Sequence, residues 1–182
     1  MSQVSSFPLD KLDELYPASF TRTIACNRSE LVKNMLTKSW LIPMHPFVKQ
    51  HDTPVVPVVE GATDTVTYHS GIVINRTYGP QVTGDDYFES SVKVTVAGME
   101  GLVEGYARTT MQLRDTGMEN KCEATVTIER GVEWSQEEKE LTELYLNQML
   151  QGFAYYIETG KAVVRNQFGL HPIYSPAIND VL

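Results

Sequence analysis

SQEEKELTELYLNQMLQGFAYYIETGKAVVRNQ, residues 135 to 167, is the stretch whose reading decides the fold. Ser135 and Glu138 stand at capping-box spacing, in which each side chain takes up a backbone donor that the first helical turn leaves unpaired. A long helix therefore starts here. At about 100° per residue, Leu141, Leu144, Tyr145, Leu146, Gln148, Met149, Leu150, Gly152, Phe153, Tyr155, Tyr156 and Ile157 share one arc of roughly two thirds of the circumference. Glu140, Glu143, Asn147, Glu158, Lys161 and Arg165 hold the remaining strip. A helix resting on one flat layer needs an apolar stripe of only about 100°, so this one is expected to lie in something concave. Gly152 sits between Tyr145 and Tyr156 at the centre of the arc, with Gln148 to one side. Two readings stay open: a buried core helix, or a helix whose face lines a ligand cavity. Gly152 and Gly160 each weaken the helix by about 1 kcal/mol relative to alanine, so a bend or an early end is expected near Gly160.

Upstream, Asp64 to Glu129 reads as an antiparallel meander. Val66, Tyr68, Ile72, Ile74 and Arg76 share one parity, as do Phe88, Ser90, Val92, Val94 and Val96. Val103, Ala107, Thr109, Met111 and Leu113 form a third such set, and Cys122, Ala124, Val126 and Ile128 a fourth. Polar residues alternate with each set, so the sheet has one dry and one wet face. The dry face needs a cover, and only the helix after Ser135 is long enough. Before the meander, Ser19 to Cys26 reads as a first strand, and Asn27 with Glu30 opens a helix of about three turns that stops before Pro43. The connector from Leu41 to Gly61 holds four prolines, so any strand around Val55 to Glu60 is short or at an edge. Residues 1 to 18 are expected to form a partly helical arm, and residues 168 to 182 an extended tail laid against the body or a partner.

The 182 residues suit a single domain, and 42% hydrophobic with 21% charged content is ordinary for a globular protein with a real core. A net charge of -8 without any Lys/Arg run argues against nucleic acid. The first 15 residues lack an apolar signal core, and no run approaches a membrane span, so the expectation is a cytoplasmic protein with no membrane span. Two cysteines, Cys26 and Cys122, are too few for a disulfide scaffold. The four histidines, His45, His51, His69 and His171, follow no metal-ligand spacing, so no metal is expected. GxSxG, GxxxxGK[ST] and GxGxxG are all absent, which removes nucleophile-elbow and phosphate-cradle chemistry and leaves no cofactor expected.

Strand, helix, proline-rich connector, antiparallel run and long C-terminal helix, in that order over Phe20 to Asn166, resemble the helix-grip fold of the START, polyketide cyclase and Bet v 1-like superfamily. The resemblance implies an α+β domain in which a curved sheet of six to seven strands wraps the long helix around a deep apolar cavity. It also implies that the first strand pairs with the last, bringing Cys26 near Cys122 as reduced thiols packed like small hydrophobes. Superfamily functions include aromatase/cyclase and dehydratase enzymes, lipid and hormone carriers, and client-binding co-chaperones, and fold alone does not choose among them.

Residue parity supplies the candidate site. A buried arginine is costly unless paired, so Arg76 must meet a carboxylate, lie at a cavity mouth or serve an anionic or enolate-like ligand oxygen; the alternative is a strand-end arginine reaching solvent. Arg76 and Tyr156 are the candidate catalytic residues, with tyrosine hydroxyls as donors or weak acids. Tyr68, Ser90, Thr109, Tyr145, Gln148, Met149 and Gly152 are the candidate ligand contacts. His45 lies in a connector that could lid the cavity, and is not expected to be a strong base. The expected function is a cyclase/dehydratase-type protein holding a hydrophobic, oxygenated small molecule. A non-catalytic carrier of lipid or another hydrophobic ligand, and a client-binding or oligomeric interaction module, remain the alternatives, and a homodimer is among the partners considered.

Overall fold

In the computed structural model, which describes residue 9 and residues 12–36, 41–52 and 59–175, the chain runs β1 (Tyr16–Ile24), α1 (Arg28–Met35), α2 (Leu41–Met44), β2 (Val48–Asp52), β3 (Thr63–Tyr68), β4 (Val73–Tyr78), β5 (Val82–Thr83), β6 (Tyr87–Val96), β7 (Tyr106–Asp115), β8 (Cys122–Arg130) and α3 (Gln136–Thr159). A 3₁₀ turn at Val103–Gly105 precedes β7, where alternation alone had extended that strand back to Leu102. Most of the expected strand around Val55 to Glu60 and most of the N-terminal arm lie outside the described residues, and the described Val59 and Glu60 are not in a strand. The second half of the first expected helix does too, from residue 37.

The strands form one curved antiparallel sheet in the order β1-β8-β7-β6-β4-β3-β2, with the short β5 added to β6. The first strand does pair with the last, and Ile24 stands opposite Cys122. Both thiols are free, Cys122 fully buried and Cys26 half-buried. Eight strands stand against the six to seven expected, the extra one being the two-residue β5. β2 lies inside the proline-rich connector, earlier than expected, and its outward Lys49, Gln50 and Asp52 suit a sheet edge, where charge discourages further pairing. The inward parity sets are buried: Val66, Phe88, Leu113, Ala124 and Val126 each expose 2% or less.

α3 covers this face. Its capping box is complete, Ser135 Oγ accepting from Glu138 N–H and Glu138 Oε1 from Ser135 N–H. The helix stops at Thr159 because Gly160 takes a left-handed conformation, φ 70°, which glycine adopts without a Cβ penalty. Residues 161 to 167 of the quoted stretch are therefore not helical. Residues 168 to 175 of the tail are not extended either. From residue 161 to 175 the chain folds into turns against α3 and the connector, held by Val163 N–H to Pro43 O at 2.7 Å and Asn166 N–H to Pro46 O at 3.2 Å. His171, 1% exposed, donates from Nε2 to Leu141 O at 2.8 Å and accepts from Ile173 N–H at Nδ1, so it is a fixed neutral clasp.

Candidate functional site

Between the sheet and α3 lies a cavity of about 530 Å³, within the usual range for small-molecule sites. Its walls are mainly aliphatic: Val66, Ile74, Val92 and Val94 from the sheet, with Leu146 and Met149 from α3. Alternation puts the first group there, and the i, i+3 spacing of the second puts both on one helix face. Tyr68, Arg76, Ser90, Thr109, Tyr145 and Met149 from the expected site all line it. Gln148, Gly152 and Tyr156 do not. Gln148 Nε2 reaches the Phe168 and Leu170 carbonyls at 3.4 and 3.3 Å and so ties down the tail. A Cβ on Gly152 would run into the Met44 carbonyl oxygen and come within 3.1 Å of Pro46 Cδ, so this glycine lets the connector approach the helix and leaves no gap. Tyr156 is half-buried and packs at the edge of the core. A helical wheel gives direction but not which neighbour waits there, and here the arc is divided among several.

Arg76 stands opposite Asp64 in the β3–β4 hairpin. Asp64, whose side chain has no exposed area, accepts from Arg76 Nε at 2.8 Å and Nη2 at 2.6 Å, from Tyr78 Oη at 2.9 Å and from His51 Nε2 at 2.8 Å. Burial alone would raise the Asp64 pKa, but the hydrogen bonds and charges of Arg76 and His51 outweigh it and hold the carboxyl below its ordinary range. Burial likewise opposes the charge on Arg76, and the Asp64 bond more than compensates, so the guanidinium stays charged. Arg76 Nη2 also donates to Tyr78 Oη at 3.0 Å. Among the described residues no acceptor lies within hydrogen-bonding distance of Nη1, so a cavity-lining cation keeps donor capacity after being braced on two sides. Tyr78, pushed up to about 12 mainly by burial, stays protonated.

Asp64, His51 and Tyr78 were missed by sequence reading. The signal was present for the first: with a hairpin centred on Ser70, Asp64 and Arg76 pair directly on the inner face. His51 was hidden by the register shift between Val48 and Gln50.

A second polar group sits on the connector side. His45, 4% exposed, accepts from Phe47 N–H at Nδ1 (3.1 Å) and contacts Tyr145 Oη through Nε2 (3.0 Å). Tyr145 Oη lies 2.9 Å from Tyr68 Oη. Tyr174 of the tail stacks on Tyr145, ring centroids 4.4 Å apart, and tilts against Tyr68 at 4.9 Å. Burial first, then the charges of Arg76 and His69, pushes the His45 pKa down to about 3, so its ring is neutral near pH 7. Burial raises the pKa values of Tyr68 and Tyr145 as well. The outer sheet face carries a separate polar hollow, whose Arg108–Glu129 pair and Tyr87–Glu89–Gln112 network satisfy one another. Among the described residues, no group of three or more His, Cys, Asp or Glu is placed to hold a metal ion.

Solved structures with the same architecture decide the fold. DynU16, a protein of the dynemicin biosynthetic locus, superposes with a TM-score of 0.61 at 14% identity over 82% of this chain. This chain has the helix-grip fold. It spans only 51% of DynU16. Ara h 8.0201 shares the helix-grip arrangement with a TM-score of 0.59 at 10% identity, over 80% of this chain and 99% of that one. A Thalictrum norcoclaurine synthase variant, solved with a transition-state analogue, gives 0.58 at 12% identity, over 81% and 96%. No protein-family model and no curated protein matches the sequence. Among the described residues no helix is long and apolar enough to cross a membrane.

Proposed function

We propose that this helix-grip chain binds a hydrophobic, oxygen-bearing small molecule between its sheet and α3, as a protein of the polyketide cyclase/dehydratase type. The observation that carries this reading is a cavity of about 530 Å³ with aliphatic walls and one guanidinium, Arg76, fixed at its lining by the buried Asp64. Apolar walls supply affinity by desolvating the ligand, at about 25 cal/mol per Å² of apolar surface. A braced guanidinium stabilises negative charge that develops on a ligand oxygen, and it needs little reorganisation to do so. In this reading the aliphatic walls fold a flexible ligand into a reactive geometry, and Arg76 holds the oxygen. Norcoclaurine synthase is one example of a helix-grip neighbour that is an enzyme by its name.

A carrier is the second reading, and one observation favours it. The buried imidazole and carboxylate beside the cavity are poor bases, because burial holds the His45 pKa down to about 3 and both Asp64 oxygens are occupied by donors; Glu104, another carboxylate at the lining, is exposed. An interaction module would want a filled core, and the cavity weighs against that alternative. The test is binding of N-phenyl-1-naphthylamine, a neutral fluorophore. The expected result is saturable binding of one probe per chain that Ala107→Phe, which fills the lining, abolishes while circular dichroism stays native. Absence of saturable binding, or equal binding by that variant, would overturn the reading. Native mass spectrometry of the purified protein then separates carrier from enzyme, since a carrier retains its ligand unconverted.

A further inference from the structure

We infer that Tyr68 is the hydroxyl that donates a hydrogen bond to the ligand, that His45 fixes it in this role through Tyr145, and that the ligand is accordingly a carbonyl-bearing hydrophobe. The inference rests on the cavity being a ligand site and adds to it the direction of one hydrogen-bond chain.

The chain starts at a group that cannot reverse. Phe47 N–H can only donate, and it donates to His45 Nδ1 at 3.1 Å. A neutral imidazole with Nδ1 accepting carries its proton on Nε2, and a ring held down to about pKa 3 by burial is neutral. Nε2–H therefore donates to Tyr145 Oη, 3.0 Å away. Tyr145 is 6% exposed, and its own hydroxyl proton needs an acceptor, since a buried unpaired donor is costly. Among the described residues the only oxygen within hydrogen-bonding distance of that hydroxyl is Tyr68 Oη at 2.9 Å, so Tyr145 donates to Tyr68. The opposite arrangement would leave Tyr145 accepting twice with its proton unplaced. Tyr68 then accepts, and its proton is the free end of the chain, on a residue that lines the cavity.

The ligand chemistry follows from which sites are left open. Tyr68 presents a proton, and Arg76 Nη1 presents two more. At Tyr68 and Arg76 an ammonium ligand would set donor against donor, whereas a ketone, ester or enolate oxygen accepts from both. Because all three groups of the chain stay neutral, Tyr68 acts by polarising an oxygen and not as a phenolate base. His45 is a positioning residue: it touches Tyr145 and governs what Tyr68 offers.

A matched probe pair isolates the hydrogen bond. 2-Acetylnaphthalene carries a carbonyl, and 2-ethylnaphthalene has a similar shape without one. Calorimetry gives the ratio of their affinities, and infrared spectroscopy gives the carbonyl stretch of the bound ketone. Wild type is expected to favour the ketone with a lowered stretch. In Tyr68→Phe the ratio falls roughly three- to tenfold, the worth of one neutral hydrogen bond, and the stretch moves back up. His45→Asn keeps an oxygen close to the Nδ1 position for Phe47 N–H but has nothing to reach Tyr145. The Tyr68–Tyr145 pair can then reverse, and a smaller fall of about twofold is expected, one extra orientation being available. Simple loss of packing at position 45 would not move the carbonyl stretch. An unchanged ratio and stretch in Tyr68→Phe overturn the donor assignment, and an unchanged ratio in His45→Asn overturns the relay. Should the naphthalene pair bind wild type equally, the inference fails while the cavity reading stands. If neither probe binds, the cavity reading fails first.

Discussion

Asp64→Asn is the sharpest perturbation of the site, because one carboxylate holds four donors. Its side chain has no exposed area and receives Arg76 Nε and Nη2, Tyr78 Oη and His51 Nε2, all within 2.9 Å. Asparagine keeps the shape but cancels the charge and turns one acceptor into an NH₂ group aimed at donors. Arg76, whose side chain is 14% exposed, is left as a largely buried cation without its counter-ion. Breaking a buried pair from one side costs about 3–5 kcal/mol. The remaining asparagine oxygen still accepts, so the lower end, about 3 kcal/mol, is expected. Urea unfolding followed by circular dichroism at pH 7 measures it as a lower midpoint at unchanged slope. Acid adds a second readout. The folded pKa of Asp64 lies below its ordinary value of 3.8, so its stabilisation is complete above about pH 4 and fades as pH falls below that. Wild type should therefore lose stability more steeply than Asp64→Asn below pH 4, and the two curves should converge. A loss under about 1 kcal/mol at pH 7, or parallel curves in acid, would refute the claim that Asp64 braces Arg76.

Two further outcomes follow from packing and burial. Gly152→Ala forces a methyl against the Met44 carbonyl, so it is expected to cost about 2 kcal/mol, within the range for overpacking; a thermal melt matching wild type would mean the connector does not press on α3 there. Burial, then the Asp115 carboxylate, pushes the Cys122 thiol up to about 11, so a thiol reagent at pH 8 should label half-buried Cys26 first and reach Cys122 only on unfolding. Equal labelling rates in the native protein would contradict that order.

Much of this architecture was legible because it rests on local, periodic signals. The capping box at Ser135 and the glycine at 160 mark both ends of α3 to within a residue, and strict alternation put Tyr68, Arg76, Ser90 and Thr109 on the inner face. What stayed hidden depends on segments without a period. His45 belongs to a connector whose prolines suppress any pattern, so nothing announced that its ring would reach Tyr145, a hundred residues away in sequence. His51 lies past a register shift. Gln148 and Gly152 were placed correctly by angle and misassigned by neighbour, since the tail and connector approach α3 where the wheel suggested open cavity.

That division of the helix explains why its apolar arc is so wide. Tyr145, Leu146 and Met149 face the cavity. Gly152 receives the connector, and Gln148 receives the tail. Three surfaces, sheet, connector and tail, together enclose about two thirds of the circumference that no single layer could cover. The consequence bears on the size of the cavity. Sheet and helix fix most of the walls, but Ile173 and Tyr174 of the tail and Leu41 and His45 of the connector add to the lining, as do Met35 of α1 and Ile72, Met99 and Glu104 between the strands. The tail and the connector are clasped by a few bonds, Val163 N–H to Pro43 O and His171 Nε2 to Leu141 O among them. Insertions and substitutions in the tail, or in the connector before β2, disturb no ladder hydrogen bonds, so the size of the cavity can be retuned there while the aliphatic walls and the Asp64–Arg76 brace stay as they are.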